Sequence, residues 1–412
     1  MSSKSKKFFG VTLLLFASWT VYLAIKELTI SSNDSPKDFQ QTVTTEVETV
    51  QQFPTTLSPN PLVATKQLLL KNFDAYLSDP ENFAKLVAKE CSDFPEGDLF
   101  PYIFPAMAYT NLALAGTIDR QHARKKIAAL IQMILPAVRR RLKPPENKLK
   151  NLESYSKHAT YLGQLNLVLG CYQLVGGDKR FEKIQRRVSD IFYQALLETD
   201  GKPLESYPTY SWTFDTIPVL LSLKLDDLHS GTKRSQLLVK KHLAWIEKHA
   251  VHKPTGLPFS QVGETQQLPR GCDLSLRLCL LSQVDRSKSE TLYENYKKHF
   301  WLERGIAAGF AEWPEGEDHF EDYDSGPIIM GIGTAASGLG LGTVIAMNDQ
   351  QRLQRLVSQM AMRDTIFSVL KNNTGGNQTL GGMIPFNPKY FTGFLFGDAV
   401  LFYAITWQNW FQ

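Results

Sequence analysis

The chain has 412 residues, of which 43% are hydrophobic and 21% charged, a globular composition that excludes a disordered or fibrous polypeptide. Its formal net charge is only +4 and no basic stripe alternates with aromatic residues, so nothing in it suits nucleic acid. With no Cys-x-x-Cys, no His-Glu-x-x-His and eight scattered histidines, no metal or other cofactor is expected.

Behind Lys4, Lys6 and Lys7, the run from Phe8 to Ile25 carries no charge. It is long enough to cross a bilayer, with the lysines on the cytoplasmic side. A cleaved signal peptide is the competing reading, but the apolar run is long for one and no small-x-small cleavage site follows it. The expected organisation is a cytoplasmic N-terminus over 1–7, a transmembrane signal-anchor over 8–29, a flexible stalk rich in Ser, Thr, Gln and Pro over 30–61, and a folded domain over 62–412. That order makes the chain a single-pass membrane protein whose domain is periplasmic or extracellular.

Within the domain, 62–89 reads as one or two amphipathic helices. Stretches of apolar and small residues then begin at Pro101, Tyr161, Ser211, Arg270, Ser325 and Phe391, at intervals of roughly sixty residues. Each follows a loop carrying acids, aromatics, Pro or Gly. Between them lie more charged segments with helical patterning, such as 121–142 and 233–249. Gly176-Gly177 reads as a helix stop and Asp178 as the cap of the next helix. Arg139-Arg140-Arg141 reads as cations at a helix C-terminus, and His249 and His252, beside Lys248 and Lys253, as a solvated helix end. Cys272 and Cys279 are seven apart in a predicted helix, too far for a disulfide. The fifth stretch, 325–346, is glycine-rich, but it lacks Gly-x-Gly-x-x-Gly spacing and a preceding strand, so its glycines read as close helix contacts. The pattern predicts an all-α domain, an (α/α)6 toroid of six helical hairpins. Buried helices would form its inner ring and charged ones its outer ring, around a cavity at the inner N-termini.

Function is therefore sought in the loops that lead into the buried helices. The loop 312–324 carries Glu312, Glu315, Glu317, Asp318, Glu321, Asp322 and Asp324, interleaved with Trp313, Phe320 and Tyr323. Carboxylates crowded against aromatics suit general acid–base work, because burial raises one pKa while a neighbour stays ionised. Asp322 or Asp324 is the expected base, Glu312 or Glu315 the expected acid, and Asp215 a third carboxylate. His158, Tyr161, Tyr207, Tyr210, Arg270, Trp313 and Tyr323 are the expected substrate-binding residues, with Asp273 at an equivalent position. A calcium loop fails, since the twelfth position of a loop that begins at Asp322 holds Gly333. Asp215 and Asp273 also have a plainer reading as helix N-caps.

The segment Tyr161-Leu-Gly-Gln-Leu-Asn-Leu-Val-Leu-Gly-Cys-Tyr-Gln-Leu-Val175 with Gly177-Asp-Lys-Arg-Phe181 resembles the second hairpin of the linalool dehydratase-isomerase family. Looser similarity covers Met107–Leu114, the stretch from Asp215 to Leu223, and Pro254–Pro258. The resemblance implies an (α/α)6 barrel, secretion and a homo-oligomer. It does not carry over the family's catalytic set. Gln164 stands where the family has an acid–base histidine, and the cysteines that precede the third inner helix have no match between Glu205 and Asp215.

These readings converge on a membrane-anchored extracytoplasmic enzyme, a carboxylate-based hydrolase or lyase acting on a glycan or a hydroxylated small molecule. The alternatives are a hydro-lyase of the resembled family with an altered proton relay, and a non-catalytic ligand-binding toroid.

Overall fold

The computed structural model describes residues 61–92, 94–142, 156–264, 266–317, 320–322, 325–326, 328–373, 379–380, 384–385 and 389–411. The expected anchor and stalk lie outside these residues. Among the described residues no helix is long and apolar enough to cross a membrane.

The described residues are mostly helical, with thirteen α-helices. The amphipathic start forms two of them, α1 (Pro61–Tyr76) and α2 (Pro80–Glu90), separated where Asp79 caps α2 by accepting the Asn82 amide at 3.1 Å. Next, α3 (Phe100–Leu114) is apolar around its whole circumference and nearly every residue of it is buried, as such a helix requires. Its neighbour α4 (Arg120–Leu142) buries only one stripe, including Ala123, Ile127, Leu130 and Ile134.

The same alternation then repeats. α5 (Gln164–Leu174) is buried, and α6 (Glu182–Glu198) buries Gln185, Val188, Phe192 and Leu196 at helical spacing. α7 (Thr216–Ser230) pairs with α8 (Ser235–His249), α9 (Gly271–Val284) with α10 (Arg286–Phe300), and α11 (Thr334–Ala346) with α12 (Gln350–Asn373). The last, α13 (Leu395–Thr406), is buried almost throughout. Among the described residues, the N-terminal α1 packs against α13. The buried helices contact one another in sequence: α3 with α5, α5 with α7, α7 with α9, α9 with α11, α11 with α13, and α13 with α3.

Glycine lets the buried helices come close to the neighbouring strand Ala307–Phe310 and to Ala311. A Cβ on Gly340 of α11 would meet a ring carbon of Phe310 at 2.5 Å, and one on Gly271 would meet the Ala311 carbonyl oxygen at 1.9 Å. The expected cap at Asp178 is present, its carboxylate accepting the Arg180 amide. All four cysteines are buried thiols outside any disulfide.

Three helix starts differ from the sequence reading, and the third buried helix begins at Thr216 rather than Ser211 because Ser211–Trp212 pairs antiparallel with Gln261–Val262. The fifth buried helix begins at Thr334 rather than Ser325, because Ile328–Ile329 pairs antiparallel with Ile332–Gly333 through Met330 and Gly331, both at positive φ. The sixth begins at Leu395 rather than Phe391. The Asp398 carboxylate reaches back to accept the Phe391 and Thr392 amides at 3.0 and 2.7 Å, holding the preceding segment out of the helix.

Candidate active site

The N-terminal ends of the six buried helices share one cavity of about 140 Å³. Phe100 and Phe104 of α3, Leu276 of α9, Leu339 of α11 and Phe396 of α13 supply much of its wall. Into this mostly apolar space come Glu96, Thr160, Tyr207, Asp215, Cys272 and Asp273. Orphan backbone N–H groups and the positive end of the helix dipole make such positions favourable for carboxylates.

Asp215 sits at the N-cap position of α7, yet its side chain makes no capping bond. Its Oδ2 accepts the Thr160 hydroxyl at 2.7 Å. Thr160 belongs to a π-helical turn, Ala159–Gly163, that leads into α5. Such turns re-aim side chains by one residue. Asp273, the other expected cap, forms an ion pair with Arg277 one turn on, and Arg277 also donates to Thr213 at 2.6 Å.

Opposite them, the 3-10 turn Pro95–Asp98 contributes two acids. Tyr207 donates its hydroxyl to Glu96, and Tyr161 donates to Asp98 at 3.0 Å. Arg140 pairs with Asp98 at 3.1 Å and the Arg141 guanidinium lies over the Tyr161 ring. The basic run at the end of α4 thus has specific partners beyond the helix dipole. Burial, reinforced by Asp98, raises the Tyr161 hydroxyl far above its ordinary pKa, so it stays protonated.

Arg270 organises the side of the cavity formed by α9. Only 2% exposed, it donates from Nε to Glu312 Oε1 at 2.8 Å and through both terminal nitrogens to Asp322 at 2.7 and 2.8 Å. Its guanidinium also faces the rings of Trp313 and Phe320. Glu312 is fully buried and accepts the Cys272 amide on Oε2 at 3.0 Å, while the Cys272 thiol donates to Oε1 at 3.0 Å. Burial pushes the Glu312 carboxyl up to about 7, against the opposing pull of Arg270. Asp322 also caps its own turn, accepting the Ser325 amide at 2.9 Å.

No protein-family model and no curated protein matches this chain.

Of the expected site residues, Asp215, Tyr207 and Arg270 line the cavity together. Glu312, Asp322 and Trp313 stand around Arg270 and do not line it, and Tyr161 joins through Asp98. Glu315 and Tyr210 are exposed and outside the lining. His158 is half-buried and also outside it; burial lowers its pKa, with Glu205 opposing. Tyr323 and Asp324 fall outside the described residues. Glu96, Thr160 and Cys272 are lining residues that the sequence reading did not select. Glu96 precedes α3 as Asp215 precedes α7, so position relative to a buried helix was the available signal. Cys272 follows Arg270 directly, yet only its disulfide potential was weighed. Gln164 is buried, with no hydrogen-bond partner for its Oε1 among the described residues. Among those residues no group of His, Cys, Asp or Glu is arranged to hold a metal ion.

Proposed function

We propose that this chain is an (α/α)6 toroid enzyme, anchored in a membrane by residues 8–29, that eliminates water from a small hydroxylated molecule with an apolar body. The cyclic packing of α3, α5, α7, α9, α11 and α13 supports the toroid, with α1 supplying the outer partner of α13.

The observation that carries the functional reading is one apolar, partly enclosed cavity holding carboxylates from three different helix starts, Glu96, Asp215 and Asp273. Elimination needs one proton delivered to the departing hydroxyl and another removed from the adjacent carbon. Asp273 is occupied by Arg277. Asp215, held by Thr160, is therefore the proton acceptor, and Glu96 with its hydrogen-bonded Tyr207 is the second proton-transfer pair. The phenylalanine wall fixes the hydrocarbon and keeps out the water that would reverse the reaction. A glycan suits this space less well. The wall is mostly apolar, and Trp313, an expected substrate-binding residue, lies outside the lining against the Arg270 guanidinium.

Turnover by wild type and Asp215→Asn on parallel panels of branched unsaturated alcohols and glycans tests this. The expected result is dehydration of an alcohol, slowed about 100-fold or more in the variant. Glycan cleavage, or equal rates in the two proteins, overturns it. Tight alcohol binding without turnover by wild type would instead mark a ligand-binding toroid.

A further inference from the structure

We propose that Cys272 is a reactive thiol of this cavity, with Glu312 as its proton acceptor, giving the chain a nucleophile for electrophilic carbon on small molecules with apolar bodies. This shares the cavity with the elimination reading but does not depend on it.

Three features of the geometry act together. Cys272 is the second residue of α9, where the helix dipole favours a thiolate. The residue lines the cavity, which offers a space beside it for a ligand. Its thiol already donates to Glu312 Oε1 at 3.0 Å, and that oxygen also receives Arg270 Nε at 2.8 Å. Nucleophile, base and a third group that orients the base are thus in line. Moving the proton from sulfur to Glu312 leaves the net charge of the cluster unchanged, and Arg270 remains to balance thiolate and Asp322. The raised pKa of Glu312 fits a carboxyl that can hold that proton near neutrality. The other cysteines offer a built-in contrast: Cys171 and Cys279 are fully buried, and burial pushes their thiols up to about 12.

Reaction with iodoacetamide balances simply. Glu312 takes the thiol proton, the sulfur pair forms the C–S bond, and iodide leaves with the electrons of the C–I bond. The rate at each cysteine of the folded full chain is read by peptide mass spectrometry across pH. Cys272 should react at least about tenfold faster than Cys91, Cys171 or Cys279 at pH 7, with its rate rising below the ordinary thiol range near 8.5. In Glu312→Gln, shown folded by circular dichroism, the rate at pH 7 should fall about tenfold and the rise should move toward that range. A Cys272 that reacts no faster than the others, or whose wild-type rate rises only above about 8.5, overturns the proposal without any variant. An unchanged profile in folded Glu312→Gln overturns the role of the carboxyl. Neither result bears on alcohol turnover.

Discussion

Arg270 is the residue on which the wall of the cavity depends, because it is buried and neutralises Glu312 and Asp322 together. Replacing it with Met would remove the cation that the two acids share, with an expected loss of about 3–5 kcal/mol in urea unfolding above pH 7, where Glu312 is ionised. Glu312 itself imposes a pH dependence. Its folded pKa of about 7 lies above the ordinary 4.5, so its stabilising contribution is complete below 4.5 and is lost as pH rises toward 7. Wild-type stability relative to Glu312→Gln should therefore fall across that window, by at most about 1.4 kcal/mol per pH unit. Equal slopes in the two proteins would contradict the buried, proton-holding carboxyl. Arg270, Glu312 and Asp322 could each be picked from the sequence as helix-start or loop residues. That they satisfy one another could not, since 42 and 52 residues of chain separate the two acids from the arginine.

At the scale of elements, the buried helices were legible because they are apolar around the whole circumference, whereas α4 and α6 show apolar stripes at helical spacing. Their exact starts were less so. Tight chain reversals at Met330–Gly331 and the Asp398 bonds to Phe391 and Thr392 use apolar and small residues that also suit a helix. Of the glycines read as close helix contacts, Gly342 meets the backbone of Ala404 in α13, whereas Gly340 packs against Phe310 of the strand Ala307–Phe310. Gly340→Ala should accordingly cost about 1–3 kcal/mol, read as a lower urea midpoint at an unchanged slope. A neutral effect would mean that the Phe310 ring yields without penalty.

For the whole molecule, the rhythm of six buried stretches anticipated an all-helical domain but not how its ends meet. Complete hairpins were expected throughout, and α1 instead covers α13. The C-terminal Trp410 ties the ends further, its ring N–H donating to Asn111 of α3 at 2.6 Å and its amide to Gln283 of α9 at 3.0 Å. Trp410→Ala should cost about 3–5 kcal/mol and lower the single unfolding midpoint of the domain rather than fray one end, as seen by calorimetry. The cavity is the other feature of this scale. It gathers Glu96, Asp215 and Asp273 from three separate stretches of the chain against a mostly apolar wall.

The central claim, that this cavity takes a small alcohol for elimination, is tested most directly by a crystal structure of Asp215→Asn soaked with a branched unsaturated alcohol that wild type consumes. Density is expected inside the cavity, with the hydrocarbon against Phe100, Phe104 and Phe396 and the hydroxyl or its neighbouring carbon within reach of residue 215. An alcohol bound elsewhere on the protein, with the cavity unfilled, would contradict the claim.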